Sequence, residues 1–127
     1  MRGMPLVKME MRKRHLTREE KKALFAAVHD ALVATFKIAE HDRTQRLIEH
    51  DDGHFEIPPG HSDHYLVVEI DVFPGRSLET KRALYADIVA RLEPIGIPPN
   101  DVLIVLRELP RENWGLRGGK AASDLDF

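Results

Sequence analysis

The chain has 127 residues, with 19 Lys and Arg against 21 Asp and Glu, a formal net charge of −2 and no cysteine. A chain of this length can bury an ordinary hydrophobic core in one domain. The small net charge gives no electrostatic reason to expect a nucleic acid or an anionic membrane as partner. The lack of cysteine excludes thiol catalysis and thiolate zinc sites and fits a reducing compartment, so we expect a cytoplasmic location.

Nothing at the N-terminus has the length and apolar character of a signal peptide. The most apolar segment, YLVVEIDVF at 65–73, is interrupted by Glu69 and Asp71. We therefore expect neither secretion nor a membrane-spanning segment.

The first half of the chain predicts a strand, a helix and a second strand. PLVKMEM at 5–11 partly alternates in polarity, which is typical of a strand. Thr17 and Glu20 form a capping-box pattern, and apolar residues then recur at helical spacing, which predicts a helix over about 17–36. DRTQRLIEH at 42–50 predicts a strand. The loop that follows is rich in Gly, Pro, Asp and His, with room for a short strand at His54–Ile57.

The second half repeats this order. Apolar residues alternate through the segment 65–73, which predicts a strand, and the turn FPGRS follows it. Ser77 caps a predicted helix, and Val102–Leu109 reads as another strand. The apolar positions assigned to this helix are Leu84, Ile88, Leu92 and Ile95.

The repeated order predicts two tandem β-α-β units. We expect an α+β fold in which both helices cover one face of a four-stranded mixed sheet. The proposed domain is 1–127: an extension at 1–4, units at 5–57 and 64–109, and a C-terminal segment at 110–127. Apolar residues on both faces of the strand at 65–73 would leave one sheet face exposed in a monomer, so we expect oligomerisation.

Five segments together resemble one protein family. They are PLVKMEM at 5–11, VHDALVATF at 28–36, HDR at 41–43, GRS at 75–77 and ENWGLRGGKA at 112–121. In this combination the chain resembles the tautomerase superfamily, and its decarboxylase-like branch most closely. The resemblance implies a homotrimer that acts on a small carboxylic acid with an N-terminal proline as the catalytic group. We expect no cofactor.

The resemblance also assigns residues. Pro5 matches the catalytic proline, and Asp42 matches the acidic residue that positions or activates water. Arg76 matches a carboxylate-binding arginine, a role suited to its bidentate fork. We expect the indole of Trp114 to line an apolar pocket beside the proline. The decarboxylase pattern has a second arginine where this chain has Pro74, so the two-arginine clamp is absent.

Pro5 has a basic nitrogen only when it is the first residue of the chain. A free α-amine titrates at about 7.7–8.0, and burial or nearby cations lower that pKa. Such a base can move a proton beside a carbonyl, which is keto–enol tautomerisation, and its protonated form can assist decarboxylation. With Met1 to Met4 attached, Pro5 is a tertiary amide and has no basic nitrogen. Initiation at Met4 and removal of that methionine would expose the amine.

Other interpretations remain open for the same residues. Pro5 is also suited to opening an edge strand, Asp42 to closing a turn, and Arg76 to a solvated turn. The whole protein would then be a catalytically silent trimeric binding module, blocked at Pro5 by residues 1–4. The cluster of His and Asp residues at 50–64 matches no zinc spacing, so we expect no metal site there.

Overall fold

The computed structural model describes residues 4–126. Within that range six strands and two α-helices follow one another along the chain. They are β1 (Leu6–Arg12), α1 (Arg18–Phe36), β2 (Thr44–His50), β3 (Leu66–Val72), α2 (Leu78–Leu92), β4 (Val102–Glu108), β5 (Gly115–Leu116) and β6 (Lys120–Ala121).

The four long strands form one sheet in the order β2-β1-β3-β4. The strands within each β-α-β unit are parallel, whereas β1 and β3 run antiparallel and join the two units. Leu6 at the start of β1 therefore lies opposite Thr44 on one side and Asp71 on the other. The predicted mixed sheet and its two β-α-β units are confirmed.

Both helices begin at the predicted caps. The Thr17 hydroxyl accepts from the Glu20 N–H at 3.1 Å, and the Glu20 carboxylate accepts from the Thr17 N–H at 2.9 Å. Ser77 accepts from the Thr80 N–H at 3.2 Å at the start of α2. These contacts satisfy backbone donors that a helix start leaves without partners. Lys37, with φ 59°, ends α1 in the left-handed conformation.

One face of the sheet packs against both helices. Alternate residues of β1 and β3 are buried on this face, and they meet apolar residues that recur along α1 and α2. Burial of each large aliphatic side chain contributes about 1.5–3 kcal/mol. The predicted position of both helices on the same face is confirmed. The central residues of this core are Val7, Met9, Met11, Val28, Leu32, Leu66, Val68, Ile70, Leu84 and Ile88.

Two local predictions were wrong. The segment His54–Ile57 forms no strand, because the chain makes a short 3₁₀ turn at Asp52–His54 and runs into the Pro-Pro-Gly sequence that follows. Ile95 does not lie on α2 but in a 3₁₀ turn at Glu93–Ile95. Pro94 has no N–H to donate within a helix, which explains why the α-helix ends before it.

A buried carboxylate connects the loop before β3 to the start of β4. Asp101 accepts hydrogen bonds from His61 Nδ1 at 2.9 Å, from the Ser62 N–H at 3.3 Å and from the Ser62 hydroxyl. The Ser62 hydroxyl, followed by His61, holds the pKa of Asp101 below its usual value. A carboxylate whose pKa falls on folding stabilises the fold above its unfolded pKa and loses that contribution in acid.

We therefore predict a pH-dependent effect for Asp101→Asn. At neutral pH the substitution should lower the free energy of unfolding by about 1–3 kcal/mol, because the amide cannot replace all the bonds to His61 and Ser62. The difference from the wild type should shrink as pH falls below about 4. Urea denaturation from pH 7 to pH 3 measures it, with the exposed Asp30→Asn as control. A difference that stays constant with pH would contradict the assignment.

Candidate active site

The antiparallel pairing of β1 with β3 determines where the predicted site residues lie. Strands β1 and β2 start at the same edge of the sheet at which β3 and β4 end. Pro5 and Asp42 precede β1 and β2, while Arg76 and Trp114 follow β3 and β4. The four residues named from the sequence therefore belong to segments at one edge.

Pro5 lies one residue before β1 and is buried. Its strand neighbour Leu6 pairs with Thr44 and Asp71, so Pro5 sits between the start of β2 and the end of β3. Pro5 and Val7 are two residues apart and both are buried, so Pro5 lies on the same, helix-covered side of the sheet as Val7. The ring nitrogen of a processed chain would thus lie at the border between the core and this edge.

Arg76 is held by the last residue of α1. Its guanidinium lies 4.4 Å from the centre of the Phe36 ring and donates to the Phe36 carbonyl at 3.2 Å. A second, longer bond of 3.4 Å reaches the Phe73 carbonyl. Burial lowers the pKa of Arg76, and the nearby Glu108 carboxylate opposes that change. The side chain is therefore fixed in place while its charge is retained.

A cavity of about 270 Å³ lies beside this guanidinium, between the end of α1 and the start of α2. Two of its lining residues carry positive charge, and none carries negative charge. Such a lining favours a small anion. The lining residues are Thr35, Phe36, Lys37, Gly75, Arg76 and Thr80.

The turn that carries Arg76 is tied to β4. Gly75 has a φ of 123°, which a residue with a Cβ rarely adopts. Its N–H donates to the Glu108 carboxylate at 3.3 Å, and the Lys81 ammonium donates to the same carboxylate at 2.8 Å. The hydrogen bond from Lys81 is the main reason that the pKa of Glu108 is lowered. Glu108 therefore stays ionised while it anchors the turn.

Asp42 closes the turn between α1 and β2. Its N–H donates to the Ala39 carbonyl at 3.0 Å, and its carboxylate lies 3.6 Å from Nε2 of His41. The side chain is only 13% exposed. Within residues 4–126 no hydrogen bond or ion pair joins Asp42 to Pro5 or Arg76. Its predicted role in the pocket remains a prediction.

Trp114 packs against the same turn through Phe73. The two rings meet edge to face, with centroids 5.3 Å apart, and Trp114 donates from its indole N–H to the Leu109 carbonyl at 3.2 Å. Phe73 is fully buried. Trp114 therefore supports one of the residues whose carbonyl receives a bond from Arg76.

The side chains of three of the four histidines at 50–64 have hydrogen-bond partners. His50 lies 2.9 Å from the Glu10 carboxylate, His61 contacts Asp101, and His64 Nδ1 lies 2.7 Å from the Gly96 carbonyl. In the part of the chain that the structure describes, no group of three or more His, Asp or Glu side chains is arranged to hold a metal ion.

Neither described helix is long and apolar enough to cross a membrane.

The opposite edge of the sheet holds a larger cavity of about 320 Å³, between the start of α1 and the turn after α2. None of the residues assigned from the sequence lies there. We therefore place the candidate site at the edge that holds Pro5 and Arg76, despite its smaller cavity. The residues lining the larger cavity are Arg14, Leu16, Glu20, Ala23, Leu24, Pro94, Ile95, Gly96 and Ile97.

The fold is an α+β fold of two β-α-β units, and comparison with known proteins identifies the family to which it belongs. Two family models described as tautomerase enzyme match the chain, one over residues 42–117 and the other over residues 5–61. The first covers more than half of the chain. The protein belongs to the tautomerase family.

Similar proteins support this assignment. The probable tautomerase YusQ of Bacillus subtilis (strain 168) is 24% identical over 104 residues, which are 77% of this chain and 82% of that protein. A structure of malonate semialdehyde decarboxylase is 28% identical, with a TM-score of 0.85 over 95% of this chain and 99% of that one. A symmetric trimer, Q0 fused 4-OT, is 26% identical, with a TM-score of 0.75 over 93% and 96%.

The contacts of Arg76 predict that this side chain stabilises the fold. Arg76→Met should lower the free energy of unfolding by about 1–3 kcal/mol, because the Phe36 carbonyl loses a bond from a charged donor. Urea denaturation measures this, and the exposed Arg82→Met on α2 is the matched control. Equal stability of the two variants would contradict the described geometry.

Proposed function

We propose that this protein is an enzyme that moves a proton on small keto or unsaturated carboxylic acids, with Pro5 as general acid and base when it is the mature N-terminus. One observation carries the proposal: in a chain of the tautomerase family, the buried Pro5 lies at the sheet edge that also holds the cationic cavity of Arg76. A carboxylate held at Arg76 would place the rest of a small acid near this edge.

The proposed reaction needs one base and one anion site. The free amine of Pro5 takes a proton from the carbon beside a carbonyl, so that an enol or enolate forms. The resulting ammonium returns the proton to oxygen or to another carbon, and the amine is regenerated. Arg76 holds the substrate carboxylate, Asp42 assists by positioning the substrate or a water, and Trp114 supports the pocket through Phe73.

Decarboxylation is a weaker form of the same proposal. The similar malonate semialdehyde decarboxylase is described as having decarboxylase and hydratase activities. A protonated Pro5 would stabilise the enolate that forms when carbon dioxide leaves a β-keto acid. Pro74 stands where the decarboxylase pattern has its second arginine, which favours tautomerisation over decarboxylation for this chain.

The second candidate function is a catalytically silent, trimeric binding protein. It is favoured by one feature of the sequence, since Pro5 follows Met4 and an intact Met4–Pro5 peptide bond leaves no basic nitrogen. The cavity at Arg76 would still bind an anion in such a protein. The two candidates therefore differ in turnover and agree on binding.

Turnover of phenylenolpyruvate separates them. A chain that begins at Pro5, with its mass verified, should ketonise this enol, and Pro5→Ala should lower kcat/KM by roughly 10²-fold because the tuned base is lost. The chain with Met1 to Met4 attached should be inactive. Equal activity of the extended and processed chains would contradict proline catalysis.

The face of the sheet away from the helices supports a trimer. On this face Arg107 of the edge strand β4 forms ion pairs with Glu69 and Asp71 of β3, both at 2.7 Å. The face also carries exposed apolar side chains, since Leu103 on β4 is 46% exposed and Ile48 on β2, at the other side of the sheet, is 38% exposed. The similar Q0 fused 4-OT forms a symmetric trimer. We propose that this chain assembles as a homotrimer that covers the same face.

Matched isoleucines test the assembly. Ile48→Lys on the open sheet face should shift the protein toward monomers, because the interface would then bury a charged group in place of an apolar side chain. Ile95 has the same exposure, 38%, but lies on the helix side, so Ile95→Lys should leave assembly unchanged. Analytical ultracentrifugation measures the effect, and equal masses for both variants would contradict the proposed interface.

A further inference from the structure

The Arg76 turn is held by a carboxylate from the other end of its β-α-β unit. Glu108, the last residue of β4, accepts from the Gly75 N–H with Oε2 and from the Lys81 ammonium with Oε1. The first contact places the carboxylate beside the residue that precedes Arg76. The second ties it to the first turn of α2.

Glu108 lies near Arg76 but accepts no hydrogen bond from its guanidinium. The hydrogen bonds from the Arg76 guanidinium go to the Phe36 and Phe73 carbonyls. Within the described residues the two charged groups form no ion pair. The Glu108 charge nevertheless opposes the effect of burial on the pKa of Arg76, so it contributes negative potential at the guanidinium. A guanidinium has five N–H donors, so Arg76, which lines the cavity, keeps donors beyond the two that bind these carbonyls.

We propose that Glu108 is a positioning residue that sets the anion affinity of the Arg76 cavity. It fixes the turn through the Gly75 N–H and offsets part of the positive potential at the guanidinium. Lys81, bound to the same carboxylate, limits that offset. The proposal rests on the proposed function in one respect, namely that the anion is the carboxylate of the substrate.

This arrangement suits a site that must also release its product. Tight binding of the substrate carboxylate alone does not speed the chemical step once the enzyme is saturated. The negative charge of Glu108 near Arg76 weakens the binding of substrate and product anions alike, and it leaves the direction of the guanidinium unchanged. The Glu108 side chain is 30% exposed, so water screens the effect and we expect about threefold changes in affinity.

Two substitutions with opposite expected signs test the proposal. Glu108→Gln keeps an amide oxygen for the Gly75 N–H but removes the charge, so it should tighten anion binding about threefold. Lys81→Met removes the cation that neutralises Glu108 and should weaken anion binding about threefold. A purely structural role for Glu108 predicts the reverse for Glu108→Gln, because a loosened turn would bind less well.

The measurement is a titration of the full chain with malonate, followed by NMR at the backbone N–H groups of Gly75, Arg76 and Thr80. These signals report both the dissociation constant and the location of the anion. The exposed Glu56→Gln removes the same charge from the central loop, and we expect it to leave the dissociation constant unchanged. The difference for Glu108→Gln should shrink as salt is raised, because salt screens the charge.

The proposal is overturned if malonate does not shift these signals, or if Glu108→Gln binds it no more tightly than the wild type. It is supported by tighter binding in Glu108→Gln, weaker binding in Lys81→Met and no change in Glu56→Gln. Failure of the catalytic proposal would look different. In that case the malonate series keeps its predicted order, while the processed chain shows no proline-dependent turnover of phenylenolpyruvate.

Discussion

The antiparallel pairing of β1 with β3 is the constraint on which the rest of the structure depends. Each β-α-β unit alone is a parallel pair with a helix across it. Joining the units head to tail brings the starts of two strands and the ends of two others to one edge. The same pairing places the end of α1 and the start of α2 together at the Arg76 cavity. Position in the fold, and not proximity in sequence, assembles this edge.

The meeting of the two helix ends explains why Arg76 is held so firmly. The last residue of α1, Phe36, presents a carbonyl that no further helical turn can satisfy, and the guanidinium donates to it. A cation at this helix end is also favoured by the helix dipole. The Phe36 ring supports the guanidinium from one side. A single arginine thus completes the fold and presents positive charge to a cavity.

Local patterns made much of the fold predictable. Alternating apolar residues in β1 and β3 and the caps at Thr17 and Ser77 act through neighbours in sequence, so the elements and their order could be derived. The prediction of a short strand at His54–Ile57 was wrong. There the Phe55 carbonyl accepts a hydrogen bond from the Arg12 side chain and not from a neighbouring strand. The two-residue strands β5 and β6 carry too little pattern to predict.

The candidate site could be predicted only in part. The family resemblance named Pro5 and Arg76 as candidates, and the topology explains why their segments meet. The contact of Arg76 with Phe36 joins residues 40 apart, and the bond from Gly75 to Glu108 joins residues 33 apart. No spacing rule links such pairs, and Glu108 reads from the sequence as an ordinary charged strand end. Their roles emerge only once the chain is folded.

The proposed mechanism requires Pro5 to be a free amine at this edge of the sheet. Its most direct test is a pH titration of the Pro5 ring nitrogen by ¹⁵N NMR in the protein produced from its own coding sequence. We expect a titrating nitrogen with a midpoint below the range of about 7.7–8.0 of an ordinary α-amine. A nitrogen that does not titrate and has the shift of a peptide amide would contradict it.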